Sequence, residues 1–335
     1  MKRVIARQGG FSLIELMISI TIGLLLLTVL AVVFANASRS QREVTLTAQQ
    51  IENGRYAIDI LSDDVHHAGY WGYYGAAVTA PGALPDPCLT DVASLTAAMA
   101  LPVQGFNAPI GVLPSCIASG NYVPGTDILV VRHAGTVVAP LAPNGIYIQT
   151  SPSGTPVIAN GGGPFALTVR NGTGVNIAAP ARAYEVHIYF VSPCSVPAGA
   201  VCAASDDGGS PIPTLKRLEL TVDPSDGVLK MMTVPLVEGI ENLQVDYGID
   251  ADGDGAPDQG AYIADPGTVA GWTQVMAVQA YVLARNTGST PGFTDNKTYS
   301  LGTAGTITPA ATQYRRHVYT SLVRVKNPSE RLETP

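Results

Sequence analysis

The apolar and polar positions of the chain fall into three successive patterns. From Phe11 to Ala37 apolar residues run almost without interruption, broken by a single carboxylate, Glu15. At ~1.5 Å of rise per residue such a run makes a helix able to cross a hydrocarbon layer of about 30 Å. The pattern then becomes a stripe: Val44, Ala48, Ile51, Ile58, Leu61, Val65 and Ala68 recur at spacings of three, four or seven, with Gln49, Gln50, Glu52, Arg55 and Asp59 on the other faces. That period predicts an amphipathic continuation of the same helix. Gly54 within it costs about 1 kcal/mol relative to alanine and admits a bend, while Gly69 predicts the C-terminal cap. One helix from Phe11 to about Ala68 is expected, its second half lying against a β-rich partner.

Between Tyr70 and about Tyr122 the text is aromatic and then rich in Pro and Gly; beyond Asp127 it becomes strand-like. Strands are predicted over 128–132, 145–150, 165–170, 184–192, 215–222, 228–235, 243–247, 275–285 and 314–326, several of them alternating as in Leu218-Glu-Leu220-Thr-Val222. Asp226-Gly227, Asn171-Gly172 and Pro143-Asn144-Gly145 supply turns between them. The polar tail from Asn327 to Pro335 is expected to fray.

The first ten residues change how the apolar run is read. They carry Lys2, Arg3 and Arg7, no acid, and end in Gly9-Gly10. Bases on a short leader place it on the cytoplasmic side. A secretory signal has its small-residue cleavage site after the apolar core; here the small pair precedes it, so cleavage after Gly10 would leave the helix attached. It would also create an α-amine on Phe11, one helical turn from Glu15. A carboxylate in a spanning helix costs ~2.5–3.5 kcal/mol on insertion scales and calls for a partner, either that amine or the amine of a neighbouring copy. The competing reading is a plain signal anchor with an acid near its edge.

Gly10-Phe11-Ser12-Leu13-Ile14-Glu15 resembles the class III leader and cleavage motif of type IV pilins and pseudopilins. The resemblance implies cleavage after Gly10 and N-methylation of Phe11 by a prepilin peptidase, and an assembly role for Glu15. Residues 50–62 (Gln-Ile-Glu-Asn-Gly-Arg-Tyr-Ala-Ile-Asp-Ile-Leu-Ser) and Ala68-Gly-Tyr-Trp-Gly72 are similar to the helix-to-head junction of PilW-type minor pilins. Residues 238–250, with Trp272 and 275–285, are similar to that family's C-terminal sheet; they also resemble the J-type minor pseudopilin of type II secretion. Residues 75–235 carry no such likeness.

Composition fits this frame. Charged residues make up 13% of the 335 and hydrophobic ones 46%, with 35 Gly and 25 Pro, which suits a strand-and-loop-rich domain outside the cytoplasm. A net charge of −7 argues against a nucleic-acid partner, and Lys216/Arg217 and Arg315/Arg316 are read as solvated strand edges. Cys88, Cys116, Cys194 and Cys202 form no C-x-x-C pair and imply two disulfides in an exported domain. Three pairings are open; the sequential one, Cys88–Cys116 and Cys194–Cys202, is expected because each bridge would staple a loop with few core anchors.

The strongest constellation in the head is Asp250-Ala-Asp252-Gly-Asp254-Gly-Ala256-Pro-Asp258. Carboxylates at positions 1, 3, 5 and 9, Gly at 6 and the Ala256 carbonyl at 7 match the front of a calcium loop, and four crowded carboxylates repel without a cation. At position 12, Ala261 replaces the bidentate Glu, with Asp246 or Asp265 as candidates to complete the shell of a structural Ca²⁺. An acidic turn needing no metal is the competing reading. Asp63 and His67 share a helix face at i, i+4 but read as a solvated helix end, and His133, His187 and His317 read as isolated strand or surface histidines. The aromatic run Tyr70–Tyr74 is expected to pack the head onto its helix. No nucleophile–base arrangement, H-E-x-x-H or phosphate-binding loop occurs, so no enzyme is expected.

The expected architecture is α+β and pilin-like: a leader (1–10), an apolar half-helix (11–37), an amphipathic half (38–69) and a disulfide-stapled β head (70–335). The expected function is that of a type IV pilus minor pilin in the assembly-initiation or tip complex, in the inner membrane and then in the pilus of a Gram-negative bacterium. Its expected partners are other minor pilins, the major pilin, the prepilin peptidase, the inner-membrane assembly platform and a tip adhesin. The alternatives are the type II secretion pseudopilin and a surface-binding module at a pilus tip.

Overall fold

The structure is a computed structural model that describes residues 10–74, 78–109, 112–138, 140–152, 154–258, 260 and 262–333. Lys2, Arg3, Arg7, Gly9 and Ala261 lie outside the described residues. The chain divides into two compact units, Met1–Ala48 and Gln49–Pro335. Helix α1 runs unbroken from Leu13 to His67, 55 residues, so its first part belongs to the first unit and its last turns to the second.

In chain order the strands are β1 (Val103–Phe106), β2 (Ile128–Ala134), β3 (Ile146–Gln149), β4 (Val157–Asn160), β5 (Thr168–Arg170), β6 (Asn176–Ala178), β7 (Ala181–Ser192) and β8 (Thr214–Val222). They continue as β9 (Leu229–Glu238), β10 (Ile240–Ile249), β11 (Tyr262–Ile263), β12 (Val275–Arg285), β13 (Tyr299–Ser300), β14 (Thr306–Ile307) and β15 (Arg316–Arg324). A seven-stranded sheet has the order β1-β2-β7-β3-β4, with β8 also paired to β7 and β9 to β8; a four-stranded sheet has the order β11-β10-β12-β15. The pairings in both are antiparallel. The predicted strands are present; β1, β4, β6, β11, β13 and β14, each of two to four residues, were not anticipated.

Alternation along the strands of the larger sheet builds two cores. On one face Leu129, Val131, Tyr189, Val191 and Leu215 join Ala57, Leu61 and Val65 of α1, Ala68 just after it and, from the smaller sheet, Leu243, Val245, Val278, Val282 and Val323. On the other, Ile128, Val130, Tyr184, Val186, Ile188 and Phe190 are covered by Trp71, Leu95, Met99, Ile117 and Tyr122. Burial on both faces is why Ile128–Ala134 is buried at every position and reads as a continuous run. The aromatic cluster therefore does a different job from the one expected. Trp71 stacks on Tyr184, centroids 5.2 Å apart, in the core layer that does not contain α1.

The buried face of α1 is also shifted from the sequence stripe. Gln50, Gly54, Ala57, Leu61, Asp64 and Val65 are buried, whereas Val44 is 67% and Ile51 43% exposed. Near Gln50 the helix meets backbone and a ring: Gln50 Nε2 donates to the Ala284 carbonyl at 2.9 Å, and Asn53 Nδ2 to that of Glu238 at 3.0 Å. Gly54 marks close approach, because a Cβ there would collide with the Tyr319 ring on β15.

Two further expectations are corrected. Residues Lys326–Glu333 form a helix that does not fray. Asn327 Nδ2 donates to the carbonyls of His66, His67 and Ala68, the last at 3.1 Å, and Arg331 donates to that of Gly69, so this helix closes carbonyls left open where α1 ends. Gly69 itself takes φ +71° as predicted. Lys216 and Arg316 are not solvated, being 3% and 7% exposed. Arg316 forms ion pairs with Glu241 and, at 3.1 Å, with Asp295. Lys216 faces the charges of Asp206 and Asp207, yet burial holds its pKa below the usual lysine value.

Gly54→Val is expected to destabilise the chain by about 1–3 kcal/mol through overpacking against Tyr319, despite improved helix propensity. Denaturant unfolding of the detergent-solubilised protein measures it; an unchanged midpoint would refute the close-approach explanation.

Candidate functional site

Residues 11–37 of the first unit offer one charged side chain on an otherwise largely apolar surface. Ser12 and Glu15 cap α1 reciprocally: Glu15 Oε2 accepts the Ser12 N–H at 2.9 Å, and Ser12 Oγ accepts the Ile14 N–H at 3.3 Å. This is the S-x-x-E capping arrangement, and it puts an anion where the helix dipole favours one. Phe11 is 89%, Leu13 76% and Phe34 75% exposed. The hydroxyls of Ser19, Thr21 and Thr28 each donate to a carbonyl three or four residues earlier, at 2.7–2.8 Å. Inward-turned hydroxyls and self-paired backbone are what a helix needs where water cannot reach it. The segment can enter a bilayer or pack on like helices, and Glu15 is the charge it would carry with it. Gly10 and Phe11 precede the first helical residue.

In the second unit the acidic loop follows β10. Asp250 is buried and accepts the N–H of Gly253 at 2.7 Å and of Gly255 at 2.9 Å, folding the loop around itself. Asp252, Asp254 and Asp250 each bring a carboxylate oxygen within 4.8 Å of the others. Asp258 Oδ2 instead accepts the Ala251 N–H at 2.9 Å. The Asp252 carboxyl accepts the Asp254 N–H, which favours its ionised form, but the charges of Asp254 and Asp258 hold its pKa above the usual carboxylate value. Asp246 bonds Thr303, and Asp265 bonds the Gly267 N–H at 2.8 Å. The Gly255 carbonyl is held by Arg324 Nη2 at 3.0 Å and by Ser329, which ties the loop to the helix that closes the end of α1.

Disulfides join Cys88 to Cys116 and Cys194 to Cys202. The first fastens the loop layer over the sheet; the second closes a surface loop near Lys216.

One cluster was missed by sequence reasoning. Asp64, near the end of α1, lies with Oδ1 2.9 Å from His133 Nε2 on β2 and 2.8 Å from His187 Nδ1 on β7. Burial alone would raise the Asp64 carboxyl, but the two histidines hold it well below the usual range. Burial alone would lower His133, and the bond to Asp64 raises it above the ordinary imidazole value. These residues stand 69 and 123 positions apart, so no local motif unites them. The available signal was strand parity, which puts His133 and His187 on the same face as Leu129, Val131 and Tyr189.

Asp250→Ala is expected to cost about 2–3 kcal/mol even in chelator, because it strands the Gly253 and Gly255 donors. Asp252→Ala in chelator should leave the unfolding midpoint unchanged. Equal effects of the two would contradict this division between scaffold and exposed carboxylates.

Comparison with known proteins agrees with the geometry at both ends of the chain. Residues 201–327 match the family model described as type IV pilus-assembly protein W, and residues 5–31 match that of the prokaryotic N-terminal methylation motif. No curated protein and no solved structure matches the chain. The long apolar helix behind a methylation-type leader, the β-rich unit with two disulfides and the two family matches together support a type IV pilus minor pilin of the PilW type.

Proposed function

We propose that the protein acts in the assembly-initiation or tip complex of its pilus and that its role is structural, not enzymatic. Residues 11–37 hold it in the inner membrane of a Gram-negative bacterium with the second unit in the periplasm. A prepilin peptidase cuts after Gly10 and methylates Phe11, and the inner-membrane assembly platform then extracts the chain into the filament beside other minor pilins and the major pilin. The observation that carries this reading is an exposed apolar helix with Glu15 as its single ionic side chain. In a filament the same surface packs on neighbouring helices, where desolvation strengthens a Glu15–amine pair. A second unit as large as Gln49–Pro335 is hard to bury in a shaft, which supports a place at or near the tip. The PilW match favours a pilus over a type II secretion pseudopilin. The burial of Lys216 and Arg316 removes bases from the surface and, with the net charge of −7, supports a partner other than nucleic acid.

The cap between Ser12 and Glu15 makes a sharper test than removing the side chain. Glu15→Gln retains a carbonyl for the Ser12 N–H but loses the charge, whereas Glu15→Ala loses both. If charge pairing drives assembly, surface piliation falls in both variants while leader cleavage persists. Normal piliation in Glu15→Gln with loss in Glu15→Ala would reduce Glu15 to a helix cap.

The acidic loop is further inferred to take one structural Ca²⁺ on Asp250, Asp252 and Asp254, with the Ala256 carbonyl and Asp258 as further ligands. The closeness of the three carboxylates and the scaffold of N–H donors behind Asp250 support it. Calorimetry of the full-length protein in detergent should show saturable binding that is lost in Asp252→Ala/Asp254→Ala. No heat, with equal melting in calcium and in chelator, would make the loop an acidic turn.

A further inference from the structure

The cluster beside α1 has the composition and spacing of a transition-metal site. Asp64 is 7% and His133 5% exposed, and the ligand atoms of Asp64, His133 and His187 all lie within 4.8 Å of one another. Ligands held ~2.0–2.2 Å from one ion in a tetrahedral shell sit about 3.4 Å apart, so the 2.8 and 2.9 Å separations found here would open by about half an ångström as the ion entered.

Two details separate this cluster from an ordinary buried hydrogen-bonded group. His133 Nδ1 lies 3.1 Å from the Ala134 carbonyl, an acceptor, so the ring proton belongs on Nδ1 and a neutral His133 aims its Nε2 lone pair at the Asp64 carboxylate. Two acceptors in contact need a positive charge between them, either a second imidazole proton or a metal ion. The outer nitrogen donating to a backbone carbonyl is the arrangement that orients metal-ligating imidazoles. A second proton on His133 would bridge Nε2 and Oδ1, but Asp64 Oδ2, buried beside Tyr189, accepts no hydrogen bond of ordinary length. An ion bound bidentately by the carboxylate would engage both oxygens. A cleft of about 520 Å³ reaches Glu185 and His187 and gives an ion a way in.

We propose that Asp64, His133 and His187 bind a first-row divalent transition metal, zinc foremost, which pins the end of α1 to β2 and β7. Two imidazoles and one carboxylate suit such an ion and disfavour calcium, which takes oxygen ligands. The site is separate from the acidic loop in both residues and chemistry.

The test uses the full-length protein in detergent, stripped with chelator and titrated with Co²⁺ and then Zn²⁺. One equivalent of Co²⁺ is expected to give visible d–d absorption that Zn²⁺ abolishes and excess Ca²⁺ does not, and zinc should raise the melting temperature. His133→Gln and His187→Gln, confirmed as folded by circular dichroism, should each weaken binding by at least ~100-fold. X-ray absorption of the zinc-loaded wild-type protein, which depends on no variant, should show two imidazoles in the inner shell. No stoichiometric uptake, displacement by calcium, undiminished binding in both variants, or an all-oxygen shell would each overturn the proposal.

Discussion

The second unit depends on covering one face of α1 between Gln50 and Ala68. Leu61, Val65, Ala57 and Ala68 are each at most 1% exposed, and both sheets contribute to the layer that buries them. Fully burying one large aliphatic side chain is worth about 1.5–3 kcal/mol, so this seam holds the two sheets to a shared element. Several polar groups along it find partners: Gln50 and Asn53 donate to strand carbonyls, and Ser62 bonds Ser321 at 3.0 Å. Where the helix ends, Gly69 turns the chain and the helix Lys326–Glu333 returns from the far end of the sequence to close its last carbonyls. The same C-terminal segment holds Gly255 of the acidic loop, so an ion there would act on a segment already in contact with the end of α1.

The same helix meets a second demand in its first half. There its surface is apolar all round, and the stability of that stretch has to come from a non-aqueous surrounding. Its design is economical: hydroxyls fold onto their own backbone and the single carboxylate caps the first turn. Membrane and filament are alternative non-aqueous surroundings for one surface, which is why a leader cut that leaves the helix attached is compatible with both.

Much of this was legible in the sequence because it rests on local period and local turn chemistry. The long helix, its Gly69 end, the nine principal strands and the Asp-rich loop each have a signature within a few residues. What was not legible depends on distant partners. Gly54 looked like a bend and is a close-approach point for Tyr319, 265 residues on by number. Lys216 and Arg316 looked solvated, and only the carboxylates that the fold brings near them, Asp206 and Asp207 for one and Glu241 and Asp295 for the other, explain their burial. The polar tail reads as frayed unless the open carbonyls of α1 are known to await it. The Asp64–His133–His187 cluster needed strand register before parity could place two histidines on the helix side.

The central claim is that α1 survives processing whole, with its first turn at a newly made N-terminus. Mass spectrometry of the mature protein from its native membrane tests this most directly. The account predicts an N-terminal peptide that begins at Phe11 and carries one methyl group on its amine. A mature chain that begins beyond Ala37, or one that retains Met1–Gly10 in a cell with active pilus assembly, would contradict it.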